Sequence, residues 1–133
     1  MSDGVKAELS FPGRIFQVWR YAIGHSELLL RSHPRKPDTD RRRIDILCKA
    51  VWAIHFPRMG HHTSLTIQRL SQKEIEIFPG EHSGDNHLYR LVSEESVSYI
   101  SAAAVFARFD YGDHTGLGPF YDTPLSGTDL GSL

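Results

Sequence analysis

The chain has 133 residues, of which 40% are hydrophobic and 23% charged, and its formal net charge is −1. This composition excludes a disordered chain. It also excludes a strongly basic protein, whose overall charge would attract it to nucleic acid or to an anionic membrane. No apolar run approaches the roughly 20 residues of a membrane-spanning helix, so we expect one domain over residues 1–133 without membrane contact.

A cytoplasmic location is expected from two features of the sequence. The N-terminus, Met1 to Lys6, lacks the apolar core of a signal peptide. The single cysteine, Cys48, cannot form an internal disulfide, which agrees with a reducing compartment.

The charges are unevenly distributed along the chain. Residues 31–43 contain six basic side chains against two acidic ones, a local charge of +4, whereas residues 71–95 contain two basic against six acidic ones, a local charge of −4. A basic pole with an acidic remainder suits self-association or a charged partner.

The beginning of the chain predicts a loose arm followed by a β-hairpin. Residues 1–12 have little periodicity and lead into the turn Phe11-Pro12-Gly13. From Ile15 to Ile23 the odd-numbered side chains are the apolar ones, which places that face toward the core. A turn at residues 24–26 then connects to the apolar run 27–31.

The next two segments predict a loop and a strand. Residues 32–42 contain two prolines and most of the basic cluster, and are interpreted as a long exposed loop. Residues 43–56 are apolar mainly at even positions, which predicts a strand buried on one side, with a β-bulge near Lys49 allowed by the pattern. Cys48 lies within this strand and is interpreted as a buried apolar residue rather than a reactive thiol.

Residues 63–70 and 87–92 alternate as strands do. Between them, Ser71-Gln72-Lys73-Glu74 fits the capping-box pattern, so residues 71–78 are interpreted as a short helix that ends at Pro79-Gly80. A strand is the alternative, because residues 74–77 alternate between glutamate and isoleucine.

The longest apolar stretch runs from Val97 to Tyr111 and predicts a central strand covered on both faces. If straight, it would measure roughly 45 Å, whereas a chain of this size folds to a radius of gyration of about 14 Å. The strand must therefore bend, and the small residues 101–104 are where we expect the bend.

Residues 112–133 are rich in glycine and proline and predict an irregular tail that lies across the fold or contacts a neighbouring molecule.

The pattern as a whole predicts a mainly β protein of about six antiparallel strands. We expect these strands to form a strongly curved sheet or a partly open barrel, with at most one short helix.

The eight histidines raise the question of a metal site. The adjacent pair His61 and His62 would point to opposite faces of a strand, and the loop that contains His82 and His87 matches no established ligand spacing. These four residues are weak candidates, and we expect neither a metal nor another cofactor.

The exit of the long strand is the first candidate for a ligand site, because Asp110, Asp113 and His114 lie together there. Aromatic side chains of the strands, including Trp52 and Tyr99, would line a pocket if the sheet curls into an open barrel. A solvated acidic turn and a set of core aromatics are the competing interpretations.

The basic loop is a second candidate, for polyanions. Arginine and lysine side chains bind phosphate groups, and this loop offers Arg35, Lys36, Arg41, Arg42 and Arg43. Against this role, no aromatic residues alternate with the basic ones and the whole chain is not basic, so nucleic acid is not the expected partner.

No nucleophile elbow and no phosphate-binding glycine loop is present in the sequence. We therefore expect a non-enzymatic binding or protein-interaction module that forms a homo-oligomer or binds another protein. A small ligand-binding or enzymatic barrel with histidine and aspartate at its mouth is the alternative, and polyanion binding through residues 31–43 is the third hypothesis.

Overall fold

The computed structural model of the protein describes residues 7–32, 41–58, 60–80, 86–113, 115–121 and 124–133. These residues contain eleven strands, all paired antiparallel: β1 (Glu8–Ser10), β2 (Ile15–Ala22), β3 (Glu27–Ser32), β4 (Arg43–Lys49), β5 (Ala53–His55), β6 (His62–Thr63), β7 (Thr66–Arg69), β8 (His87–Val92), β9 (Val97–Ala102), β10 (Ala104–Asp110) and β11 (Thr128–Ser132). Three 3-10 helices accompany them, at Ile23–His25, Gln72–Ile77 and Pro119–Tyr121. The prediction of a mainly β protein is confirmed.

The strands form two sheets. A five-stranded sheet has the order β1-β7-β8-β9-β5, and a six-stranded sheet has the order β11-β10-β4-β3-β2-β6. Neither sheet closes on itself. The prediction of about six strands is too low, because several long extended segments are interrupted where the chain passes from one sheet to the other.

The first passage between the sheets involves two neighbouring segments. β4 continues into β5 through Ala50, whose φ is +51°, and β9 continues into β10 through Ala103. Two hydrogen bonds join these two segments: the Trp52 N–H donates to the Ser101 carbonyl (2.7 Å), and the Ala103 N–H donates to the Lys49 carbonyl (2.9 Å). The predicted bend within residues 101–104 is therefore confirmed.

The second passage joins β1 to β2 and β6 to β7. The Ser64 N–H donates to the Arg14 carbonyl (2.7 Å), and the Phe11 N–H donates to the Leu65 carbonyl (2.9 Å). The prediction of a loose arm over residues 1–12 is corrected at residues 8–12, because β1 pairs with β7 and Leu9 and Phe11 are buried. Apolar burial of these two side chains anchors a segment whose sequence has no strand periodicity.

The main core lies between the two sheets and includes Phe16, Leu30, Ile46, Ile100 and Val105. The expectation that the odd-numbered face of residues 15–23 points to the core is wrong. Before residue 19 the even-numbered side chains, Phe16 and Val18, are the ones that pack into the core, and the pairing of β2 with β3 then shifts register between Val18 and Arg20. Phe16 is fully buried, whereas Tyr21 is 43% exposed.

A second, smaller cluster covers the outer face of the five-stranded sheet. It contains Leu70, Phe78 and Leu88 and is closed by the 3-10 helix Gln72–Ile77. The prediction of a short helix at residues 71–78 is confirmed, and the capping box is present: a carboxylate oxygen of Glu74 accepts from the Ser71 backbone N–H at 3.1 Å.

The C-terminal residues were expected to be irregular from 112 to 133, and this is corrected by β11. That strand pairs with the outer edge of β10, and Leu133, which follows it, exchanges backbone hydrogen bonds with Val105. Among the described residues, no helix is long and apolar enough to cross a membrane.

Glu95 connects the turn between β8 and β9 to β6. Its carboxylate accepts hydrogen bonds from the hydroxyl and from the backbone N–H of Thr63, the latter at 2.8 Å. These hydrogen bonds lower the pKa of Glu95 from 4.5 to about 2. A carboxylate with a lowered pKa in the folded state stabilises the fold above its unfolded pKa, and this contribution is lost as the pH falls through the folded value.

We therefore expect the Glu95→Gln variant to lose less stability than the wild type between about pH 4.5 and pH 2. The measurement is urea unfolding at a series of pH values. Glu94→Gln is the matched control, since Glu94 is the neighbouring exposed carboxylate. The same reduction in both variants would contradict a specific role for the bonds to Thr63.

Candidate functional site

Two arginine–aspartate pairs lie on the outer face of the six-stranded sheet. The first joins Arg31 on β3 to Asp45 on β4, which are cross-strand neighbours with fully buried side chains. Arg31 Nε donates to Asp45 Oδ1 at 2.7 Å, and Nη2 donates to Oδ2 at 2.9 Å. Burial raises the pKa of the Asp45 carboxyl, although the hydrogen bonds and the charge of Arg31 act to lower it.

The second pair joins Arg43 on β4 to Asp110 at the end of β10. Arg43 Nε and Nη2 donate to the two carboxylate oxygens at 2.8 and 2.6 Å, and this arginine is only 4% exposed. Partial burial of Asp110 raises its pKa, but the hydrogen bonds from Arg43 and from the Gly112 N–H outweigh that effect, so the pKa is lowered overall.

Both arginines also hold the chain that crosses this face of the sheet. We call the described residues from Tyr111 to Gly127 the strap. Arg31 donates to the carbonyls of Gly116 (2.5 Å) and Leu117 (2.9 Å), and Arg43 donates to the carbonyl of Asp113. The arginines are thus structural anchors of the strap.

The candidate ligand site at the strand exit is therefore occupied by internal contacts. Asp110 is paired with Arg43, and Asp113, although exposed, accepts the Thr115 N–H at 3.2 Å. His114 lies outside the described residues. The structure does not place the other two candidates beside this exit: Trp52 lies in the first passage between the sheets, and Tyr99 packs on Phe78 at 6.0 Å on the other sheet.

The basic loop is only partly described. Arg35 and Lys36 lie outside the described residues, and Arg43 is committed to Asp110. Arg41 is exposed, and the guanidinium of Arg42 lies 5.1 Å from the centre of the Phe109 ring. Two of the six basic residues counted in the loop, Arg31 and Arg43, are thus paired with carboxylates of this chain rather than directed toward an external anion.

The four histidines considered as metal ligands are dispersed. His61 is exposed with a φ of +58°, His62 is 1% exposed and packs on Phe56, and Nδ1 of His87 accepts from Arg69 at 2.8 Å. His82 lies outside the described residues. Burial and the Arg69 charge lower the pKa of His87. Within the described ranges, no three histidine, cysteine, aspartate or glutamate side chains gather as metal ligands would.

The cavities that open on the described surface include three near the candidate residues or the strap. The first, of about 340 Å³, lies between the ends of the two sheets, where Arg14 and Arg42 flank the apolar side chains of Leu9, Phe11 and Ile44. None of the three is lined by His55, His61, His62, His87, Asp110 or Asp113.

The second cavity, which we call the outer groove, has a volume of about 410 Å³ and lies between the six-stranded sheet and the strap. Leu47 and Phe106 form its floor on β4 and β10, and Phe120 and Leu125 of the strap form its wall. This is the aromatic-lined pocket nearest to the one expected from the sequence, but it lies outside the sheet rather than inside a barrel.

The third cavity is a cleft of about 500 Å³ beside the first passage between the sheets. Residues 24–26 form one side and Trp52 the other, and the Val51 N–H donates to the Ser26 carbonyl at 2.8 Å. Ile23 is 82% exposed and Trp52 is 63% exposed. We call Tyr21, Ile23 and Trp52, together with this cleft, the Trp52 face.

Comparison of the chain with protein-family models, with curated proteins and with solved structures finds no match. The site is therefore interpreted from its geometry.

Proposed function

We propose that the protein is a non-enzymatic binding module that associates with a second copy of itself through the Trp52 face. The observation that carries this proposal is the exposure of Ile23 and Trp52 on two adjacent segments that flank one cleft. Single exposed apolar side chains are ordinary, but apolar side chains gathered beside a cleft are typical of interaction sites. Tryptophan and tyrosine are also the residues that most often dominate binding energy at interfaces.

The chemistry of the cleft favours a second copy as the partner. A two-fold dimer brings the same patch of both subunits together, so any charge on the patch would face its own copy. The cleft is lined by Gly24, His25, Ser26, Ala50, Val51, Trp52 and Asn86. These described lining residues include no carboxylate, lysine or arginine, so two copies of them can approach without repulsion between like charges.

Sedimentation equilibrium of the wild type and of an Ile23→Ser/Trp52→Ser double variant tests this proposal. We expect a dimer for the wild type and a dissociation constant at least tenfold higher for the variant, because loss of one anchor residue costs about 2 kcal/mol or more. The matched control is Tyr111→Ser/Leu117→Ser, which removes two equally exposed apolar side chains from the strap. A monomeric wild type, or equal weakening in the control, would contradict the proposal.

We further propose that the two sheets form one partly open barrel. Pairing supports this: β2 is followed around the molecule by β3, β4, β10 and the segment β9, then β8, β7 and β1, which returns to β2. We expect slow amide exchange at Ser64, Trp52 and Ala103, because their N–H groups donate hydrogen bonds within the two passages between the sheets. Exchange as fast as that of exposed loops would oppose it.

A cytoplasmic location is also proposed. Cys48 is a buried free thiol, and burial raises its pKa to about 12, so it stays protonated and unreactive. A buried, reduced cysteine suits a reducing compartment. Cell fractionation tests the location, and recovery of the protein outside the cytoplasmic fraction would reject it.

A further inference from the structure

The outer groove combines an apolar centre with charged groups at both ends. Its floor is the cross-strand pair Leu47 and Phe106. Lys49 and Glu27 lie at one end, where Lys49 Nζ is 3.7 Å from a Glu27 carboxylate oxygen. Lys49 pairs with Ala104 on β10, and Arg108 lies four residues further along the same strand. At the rise of a β-strand, the two ends of the groove are therefore about 13 Å apart.

The other end of the groove presents two opposite charges that do not pair with each other. Arg108 and Asp129 are register neighbours on β10 and β11 and both line the groove. Arg108 donates instead to the carbonyls of Ser126 (2.9 Å) and Gly127 (3.1 Å), and Asp129 accepts the Gly131 N–H (2.9 Å). Within the described part of the chain, no carboxylate pairs with Arg108.

We propose that the outer groove binds a zwitterionic α-amino acid with a large apolar side chain. Arg108 binds the carboxylate of the ligand and Asp129 binds its ammonium group, since charge-assisted hydrogen bonds of this kind are the strongest available at a protein surface. The apolar side chain of the ligand lies on Leu47 and Phe106, between the sheet and Phe120. At the far end Lys49 and Glu27 balance each other, so the groove selects neither an anion nor a cation there.

The volume of the groove supports a ligand of this class. At about 410 Å³ it falls in the range of small-molecule sites, which combine an apolar lining with a few placed polar groups. The groove lies on the outer face of the six-stranded sheet and shares no lining residue with the cleft of the Trp52 face. Ligand binding and self-association are therefore separate properties that separate measurements test.

Nuclear magnetic resonance titration of the full chain with L-phenylalanine tests the proposal. We expect saturable shifts of the amide signals of Phe106, Arg108 and Asp129. 3-Phenylpropionate lacks the ammonium group and phenethylamine lacks the carboxylate, so each is expected to bind at least tenfold more weakly than L-phenylalanine.

The Asp129→Asn variant distinguishes charge recognition from a general apolar contact. Asparagine keeps an acceptor for the Gly131 N–H, so the backbone of β11 is retained. We expect affinity for L-phenylalanine to fall about tenfold, with affinity for 3-phenylpropionate not reduced. Glu76→Gln removes the same charge from the exposed helix on the other sheet and is expected to leave both affinities unchanged.

Absence of saturable shifts up to the solubility limit of the amino acid would overturn the proposal. Equal affinities for L-phenylalanine and its two singly charged analogues would also overturn it, because the groove would then be recognising only the ring. An Asp129→Asn variant that binds L-phenylalanine as tightly as the wild type would remove Asp129 from the site and reject the zwitterion.

Discussion

The Asp45→Asn variant is expected to lose about 3–5 kcal/mol of free energy of unfolding, because it leaves the buried Arg31 guanidinium without a counter-charge. Arg31 is 1% exposed, so water cannot replace the lost carboxylate. The measurement is urea unfolding at neutral pH. Asp110→Asn is the comparison variant and should cost less, because its partner Arg43 is also buried but the Asp110 side chain is 20% exposed and water reaches it.

The Arg31→Met/Asp45→Leu double variant shows whether that loss comes from leaving the Arg31 charge unpaired or from losing the ion pair itself. Both side chains are fully buried, so the fold holds the Asp45 carboxylate at a desolvation cost, which also raises its pKa. Replacing both charges with apolar side chains removes that cost, so we expect the double variant to be more stable than Asp45→Asn alone. If Asp45→Asn unfolds within about 1 kcal/mol of the wild type, the pair does not anchor the strap as described.

The Gly118→Ala variant is expected to detach the strap from the six-stranded sheet. Gly118 has a φ of +94°, a conformation that costs a residue with a Cβ roughly 1–3 kcal/mol. An added Cβ would also overlap a carboxylate oxygen of Asp45 and would lie 2.5 Å from Arg31 Nη2. Both neighbours are fixed by their mutual ion pair, so neither can move aside cheaply.

We expect Gly118→Ala to lower the free energy of unfolding by about 2 kcal/mol or more and to accelerate amide exchange at Gly116. Urea unfolding and hydrogen exchange provide the two readouts. Gly24→Ala is the control, because no atom lies within 4 Å of a Cβ placed there. Unchanged exchange at Gly116 in the Gly118→Ala variant would show that the strap does not depend on this close approach.

The bend of the long strand could be predicted because it follows from size alone. A straight segment from Val97 to Tyr111 would exceed the dimensions of a domain of this length, and small side chains mark the place where the backbone can turn. In the structure, β9 ends at Ala102 and β10 begins at Ala104 in the other sheet. The short helix was equally predictable, since its capping box is a local signal.

The faces of β2 could not be predicted, because they depend on pairing. The register shift after Val18 has no local sequence signal, and before it the even-numbered Phe16 is buried although the alternation had placed the odd-numbered face in the core. β11 was missed for a related reason. The sequence Thr-Asp-Leu-Gly-Ser has a low strand propensity, and its pairing with β10 and the burial that follows at Leu133 determine its conformation.

The role of Arg31 and Arg43 was also missed. Both were counted as cations of an exposed loop, although their partners Asp45 and Asp110 lie 14 and 67 residues away along the chain. One signal was present: Asp45 lies between Ile44 and Ile46 in a strand expected to be buried. A buried aspartate needs a positively charged partner, but only the folded chain shows which arginine supplies it.

Self-association through the Trp52 face is the central functional claim, and photo-crosslinking from position 52 tests it most directly. A photoreactive phenylalanine analogue replaces Trp52, which is 63% exposed, and the irradiated protein is digested and analysed by mass spectrometry. We predict a covalent dimer whose crosslinks join position 52 of one copy to residues 21–25 or to position 52 of the other. Crosslinks confined to single chains, or spread evenly over the surface of the second copy, would contradict the claim.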